Sequence, residues 1–261
     1  MGKKIFQKIL IVCVGLLAQE SYSLEIKNIN YSLNEKKFEG VLLQQNEKNK
    51  KPIIVMIHNW MGISEETKNQ GRRFAELGYN VFLADIYGEN IRPKDVKEAA
   101  TLATKYKKDR KQFRENIRLA IDTAKKQPGV DANKLVVVGY CFGGTGAIEI
   151  ARDGIPLSGV ISFHGGLDSL NPEEGKNIKT SVLALHGEDD PYVAKEDLLA
   201  FENEMKAYKI NYQLIKYPKA VHSFTDKGAG SDNSKGAAYN EEADKKSFQE
   251  ATQFLKRVFK K

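Results

Sequence analysis

Gly139-Tyr140-Cys141-Phe142-Gly143-Gly144 places a thiol where local sequence makes a nucleophile useful. An apolar, β-branched run, Lys134 to Val138, precedes it, and a helix-compatible segment, Thr145 to Arg152, follows. Strand, sharp turn and helix in that order describe a nucleophile elbow with Cys in the place of Ser. The nucleophile of such a turn sits in strained backbone, and the flanking glycines let strand and helix pass close by. A thiol at a helix N-terminus is also biased toward thiolate. The bland alternative is a buried Cys in an ordinary turn, since free Cys often acts as a small core residue. A thiol near its ordinary pKa is only partly ionised at neutral pH and needs a base. His222 lies just past the strand-like run Tyr212 to Pro218. Between Cys141 and His222, the run Thr180 to His186 ends in a turn, Gly187-Glu188-Asp189-Asp190-Pro191, carrying three acids. Loop spacing alone does not choose among Glu188, Asp189 and Asp190. Nucleophile, acid and base together would perform acyl transfer.

The elements must bring these loops together. Residues 24–31 and 38–43 read as an antiparallel hairpin around Asn34-Glu35-Lys36. Continuous apolar runs follow at 53–57, 80–84, 135–138, 159–163 and 181–185. Such runs suit parallel strands buried on both faces. Helical patterns lie between them near 65–77, 94–127 with a possible break, 145–152 and 196–208, and Ser247 to Lys260 reads as a final amphipathic helix. The expected fold is α/β: one doubly wound, mostly parallel sheet with an N-terminal antiparallel hairpin. Loops at the carboxyl edge of such a sheet converge on one crevice. Residues 225–239 read as a long loop, either a mobile rim over the cleft or a disordered insertion.

Gly-Tyr-Cys-Phe-Gly-Gly, His-Gly-x-x-Asp-Pro at 186–191 and His222-Ser223-Phe224 together resemble the dienelactone hydrolase family of α/β-hydrolases. Pro52 to Gly62, Phe74 to Tyr79 and Ala84-Asp85-Ile86-Tyr87-Gly88 agree, so the likeness covers roughly residues 35 to 260. The resemblance implies an α/β-hydrolase fold over residues 24–261, with Cys141 as nucleophile, His222 as base and Asp190 as orienting acid. An oxyanion hole needs backbone donors. These would be the amides of Phe142, after the nucleophile, and Trp60, in the loop after the first central strand. Two departures stand out. Asn59 occupies the position of a family Glu that helps switch the thiol on. Asp226 stands near where the family carries an Arg for a substrate carboxylate, which argues against a dienelactone as natural substrate. Asn59, Tyr87, Arg92 and His164 are further candidates for the substrate cleft. Arg92 is either a rim cation or a solvated loop residue.

His58, His164 and His186 are read as hydrogen-bonded structural residues near strand ends rather than bases. No His-x-x-x-His, Cys-x-x-Cys or phosphate-binding glycine motif occurs, so no metal or cofactor is expected. The 261-residue chain carries a net charge of +7, with its lysines scattered rather than arranged as an aromatic-interleaved stripe. That speaks against nucleic acid as a partner. Lys3, Lys4 and Lys8, the apolar run Ile9 to Ala18 and Ser21-Tyr22-Ser23 read as a signal peptide cleaved after Ser23, giving a periplasmic or secreted protein. Ten apolar residues are too few to span a bilayer, which takes about 20. Removing that segment leaves Cys141 as the sole cysteine and no disulfide framework. The expected activity is hydrolysis of a small ester, lactone or thioester. An acyltransferase, or a binding protein that has lost turnover, are the alternatives; oligomeric state is not legible.

Overall fold

The computed structural model describes residues 24–45 and 50–260. The leader expected over residues 1–23, and its cleavage point after Ser23, lie outside the described residues. Eight strands form one sheet: β1 (Glu25–Leu33), β2 (Lys36–Gln44), β3 (Lys51–Ile57), β4 (Asn80–Ala84), β5 (Val130–Tyr140), β6 (Gly159–Phe163), β7 (Ser181–Gly187) and β8 (Tyr212–Tyr217). Their order is β1-β2-β4-β3-β5-β6-β7-β8. β1 pairs antiparallel with β2 and β2 with β4; every later pairing is parallel. The alternating polarity of β1 fits an edge hairpin with one covered face, whereas β4 and β6 are buried along their whole length.

Helices cover both faces. α1 (Glu65–Ala75) and α6 (Glu241–Phe259) pack Phe74, Phe254 and Leu255 against Ile54, Met56, Val136 and Val138. On the other face α2 (Val96–Lys108), α3 (Arg110–Lys125), α4 (Phe142–Arg152) and α5 (Lys195–Ala207) pack Tyr106, Phe113, Ile117, Ile148 and Phe201 against Ile53, Val55, Ile57 and Val137. Side chains of successive strand residues point to opposite faces, so each strand feeds both cores.

The break anticipated within 94–127 falls at Asp109. Its carboxylate accepts the Gln112 N–H at 3.0 Å and starts α3, while its own N–H donates to Lys105 O and ends α2. Two helices start earlier than their apolar patterns suggest. α4 begins at Phe142 rather than Thr145, because the elbow passes straight into the helix. α6 begins at Glu241, where Asn240 accepts the Ala243 N–H at 3.0 Å. The acidic first turn, Glu241, Glu242 and Asp244, masks the apolar periodicity there but suits the positive end of the helix. Residues 225–239 form a long loop, as the sequence suggests. They form two short 3₁₀ turns, at Lys227–Ala229 and Asn233–Lys235, and are tied back to the sheet edge by hydrogen bonds.

Among the described residues no helix is long and apolar enough to cross a membrane. Nor do any three His, Cys, Asp or Glu side chains gather in a way that could hold a metal ion.

Candidate active site

The chain direction reverses its stacking order between β3 and β5, so the loops leaving these two neighbours diverge and open a crevice at their carboxyl ends. Cys141 sits on the lip of that crevice with φ 55° and ψ −115°, a strained conformation for a residue with a side chain. Crossing backbones hold it there. A Cβ on Gly139 would lie 1.9 Å from Gly143 O, and one on Gly143 would lie 2.2 Å from Ile57 O. Only glycine fits either place. The Cys141 N–H donates to Phe163 O, and its carbonyl accepts the Thr145 N–H, so both sides of the turn are anchored.

The loops after β7 and β8 deliver the partners. His222 Nε2 lies 3.0 Å from Cys141 Sγ, and His222 Nδ1 lies 2.8 Å from Asp190 Oδ2. Asp190 is buried, and its other oxygen accepts the Tyr192 N–H at 2.9 Å. Glu188 and Asp189 point to solvent. The His222 main chain is fixed as well: its N–H donates to Gly236 O and its carbonyl accepts the Ala238 N–H. Burial alone pushes the Cys141 thiol up. The charge and hydrogen bond of His222, the charge of Lys107 and the Phe142 N–H more than offset this, and the thiol sits below its ordinary range. For His222 burial acts downward, and the sulfur and Asp190 carry the ring well above its ordinary value. The two shifts belong to one coupled pair, and both favour its charged forms, thiolate and imidazolium.

The model of one protein family matches residues 38–259. The chain belongs to the dienelactone hydrolase family. Enzymes of the dienelactone hydrolase family hydrolyse lactones and esters. The solved structure of m3DLH is 32% identical, with a TM-score of 0.86 over 90% of this chain and 99% of that one. A dienelactone hydrolase-like promiscuous phosphotriesterase, P91, from metagenomic libraries is 31% identical, again with a TM-score of 0.86 over 90% and 99% of the two chains. An uncharacterized Caenorhabditis elegans protein, K02A2.1, is 35% identical over 155 residues, 57% of this chain and 95% of its own length.

Around Cys141, His222 and Asp190, the remaining candidates divide. An open cleft is lined by Cys141, Asn59, Trp60 and His164. Asn59 shapes the turn after β3: its side-chain oxygen accepts the Met61 N–H at 2.9 Å, leaving the NH₂ as its free polar group. The backbone N–H groups of Trp60 and Phe142 have no carbonyl acceptor among the described residues. Tyr87 is not one of the residues lining this cleft. Its ring is buried against His58 and Phe142, and its hydroxyl donates to Trp60 O at 2.9 Å, supporting the Trp60 loop from beneath. Arg92 is not one either. Its guanidinium turns to the buried Asp85 at 3.5 Å and donates to Gly88 O and Ile91 O, closing the loop that follows β4.

The other histidines are neutral. Burial holds His58 down to about 4; Ile86 N–H donates to its Nε2, so Nδ1 carries the proton toward Asn59 O. Burial and then the His222 charge keep His164 well below its ordinary value. It packs edge-on against His222 at 5.1 Å with Nε2 2.8 Å from Thr225 Oγ1. His186 is buried and also shifted down by burial. Sequence reasoning missed Glu66, Gln70, Tyr140 and Thr225 in the cleft wall, and Tyr192, whose ring meets His222 edge-on at 5.3 Å. For Glu66 and Gln70 a signal existed: they stand one turn apart on the first helix after the Trp60 loop.

A depressed thiol pKa has a direct readout. An unperturbed thiol, with a pKa of about 8.5, loses most of its thiolate by pH 7. Alkylation of Cys141 by iodoacetamide should instead hold its rate through pH 7 and fall only on the acid side, as sulfur takes up the proton. A rate that simply tracked ordinary thiol ionisation would contradict the ion pair.

Proposed function

We propose that this protein hydrolyses small esters, lactones or thioesters through a covalent acyl intermediate on Cys141. The observation that carries the reading is the unbroken line Sγ–Nε2 at 3.0 Å and Nδ1–Oδ2 at 2.8 Å at the mouth of an open cleft. In the first half-reaction the Cys141 thiolate attacks the carbonyl carbon, and the carbonyl π pair moves onto oxygen. The Phe142 and Trp60 N–H groups receive that oxyanion. Collapse restores the C=O and breaks the bond to the leaving oxygen or sulfur, which takes the proton from His222 Nε2. In the second half, water attacks the thioester, His222 accepts its proton, and the tetrahedral adduct expels the thiolate, regenerating the ion pair. Asp190 holds the imidazole orientation and stabilises its charged form without taking up the proton. Asn59 carries no proton acceptor free for the thiol, so His222 is the base that takes its proton, with the Lys107 charge and the Phe142 N–H assisting the thiolate.

Stopped-flow hydrolysis of short p-nitrophenyl esters under reducing conditions tests the reading, with intact mass taken during turnover. The expected result is a burst of nitrophenolate with an acyl adduct on Cys141, and neither in Cys141→Ala. Turnover that persists in Cys141→Ala, or none across ester, lactone and thioester panels, would refute it.

A further inference from the structure

The cleft beside Cys141 has an acidic wall lined by no Lys or Arg. Glu66, in the first turn of α1, and Asp226, four residues after His222, both line the same space as the sulfur. Neither forms an ion pair among the described residues. Glu66 accepts only the Gln70 amide, at 2.7 Å, and Asp226 accepts only the backbone N–H of Gly228, at 2.8 Å. Carboxylates nearby on α1 and α6 are treated differently: Glu65 pairs with Lys68, Asp244 with Arg73 and Glu241 with Lys245. The lone acids are also held in place. Gln70 is buried, and its amide reaches both Glu66 and Thr225 O at 3.2 Å, fixing α1 against the segment that carries Asp226.

Two further groups in this wall lack partners. The Tyr140 hydroxyl and His164 Nδ1 are buried, belong to residues lining the cleft, and make no protein hydrogen bond. Burial raises the Glu66 carboxyl most, and the charges of Asp226 and Asp244 add to this, while the Gln70 hydrogen bond and the charge of Arg73, itself paired with Asp244, act against it; no Lys or Arg lines the cleft. The cation that bears on the sulfur, Lys107, is not among the cleft-lining residues; it reaches toward Gly166. Carboxylates in partial burial call for a positive partner.

We propose that Glu66 and Asp226 form a cation-selecting subsite, so that the enzyme prefers acyl substrates bearing a positively charged nitrogen group and turns away those bearing an anion. This rests on the hydrolytic reading of Cys141 and names its substrate class. A cation entering the wall would be attracted by both carboxylates and would favour the ionised form of Glu66, whereas an anion would meet two like charges.

Three p-nitrophenyl esters test it, with acyl chains ending in a trimethylammonium, a tert-butyl or a sulfonate group, each three methylenes from the carbonyl. The first two are isosteric and differ in charge. The parent should turn over the trimethylammonium ester with kcat/KM roughly tenfold above the tert-butyl ester, with the sulfonate ester below both. In the double variant Glu66→Gln, Asp226→Asn the trimethylammonium advantage should shrink to within about twofold, with the tert-butyl ester little changed. Equal rates in the parent, or an advantage that survives the double variant, would overturn the proposal. A second readout does not need turnover. The primary amides of the same three acids should slow iodoacetamide alkylation of Cys141 in the order trimethylammonium, tert-butyl, sulfonate. That order in a protein that cleaves none of the esters would sink the hydrolytic reading and sustain the subsite; equal protection would sink the subsite.

Discussion

His222→Ala is expected to lower kcat/KM for a neutral p-nitrophenyl ester by about 10⁴-fold, with the fold intact. The argument is cumulative. The imidazolium charge and its hydrogen bond are the largest influences pulling the thiol down against burial. Without them burial acts nearly unopposed, and the thiolate fraction at neutral pH falls. The same change removes the proton donor for the leaving group and the acceptor for the attacking water. Because these steps use one nitrogen, Nε2, a second loss at Cys141 should add little to the first, as for residues that act as a unit. Local structure should survive, since His222 ties the 226–239 loop through its main chain rather than its ring. Circular dichroism and steady-state kinetics on His222→Ala, Cys141→Ala and the double variant measure all of this. Multiplying losses would mean that sulfur and imidazole act independently.

Gly143→Ala should damage both stability and rate. The added methyl would stand 2.2 Å from Ile57 O and 2.7 Å from His58 O, and neither is the yielding end of a side chain. Both belong to the main chain at the carboxyl end of β3, locked between β4 and β5. Relief requires α4 to back away from the sheet centre, where Phe142, Ala147 and Ile148 are buried. Overpacking of this kind costs about 3 kcal/mol or more. In a domain of this size that corresponds to a fall in Tm of roughly 6–12 °C. The folded fraction should also lose roughly 10²-fold in kcat, because the displaced residues lead directly into Asn59 and Trp60, and misplaced oxyanion donors are costly. Calorimetry and kinetics on purified protein decide it. A variant that melts with the parent would mean the strand–helix crossing is looser than the distances imply.

The sequence carried more of the catalytic line than of the space around it. The elbow was legible because its constraint is local: glycines at 139 and 143 flank a turn between an apolar run and a helix. The buried strands were legible because parallel strands covered on both faces lose alternation and become continuous apolar runs. The acid was harder. Three consecutive carboxylates offered themselves, and the path of the turn alone buries Asp190 while leaving Glu188 and Asp189 in water. Arg92 shows a different limit. Its loop position is consistent with a rim cation, and nothing in its neighbourhood announces that Asp85 would be buried beneath it. The cleft wall was least visible. Glu66, Tyr140 and Asp226 come from a helix, a strand end and a loop, and they meet only once the sheet is assembled.

The loop after His222 returns to the histidine itself, closing a ring of backbone at Gly236 and Ala238. Residues 231–235 at its far side are exposed. A closed ring isolates its base from its tip. Drift in composition or length at 231–235 can accumulate without moving the imidazole, while Asp226, near the base, remains under the same constraint as the catalytic residue. Within one lineage such a protein could diversify its outer surface rapidly and its charge preference slowly.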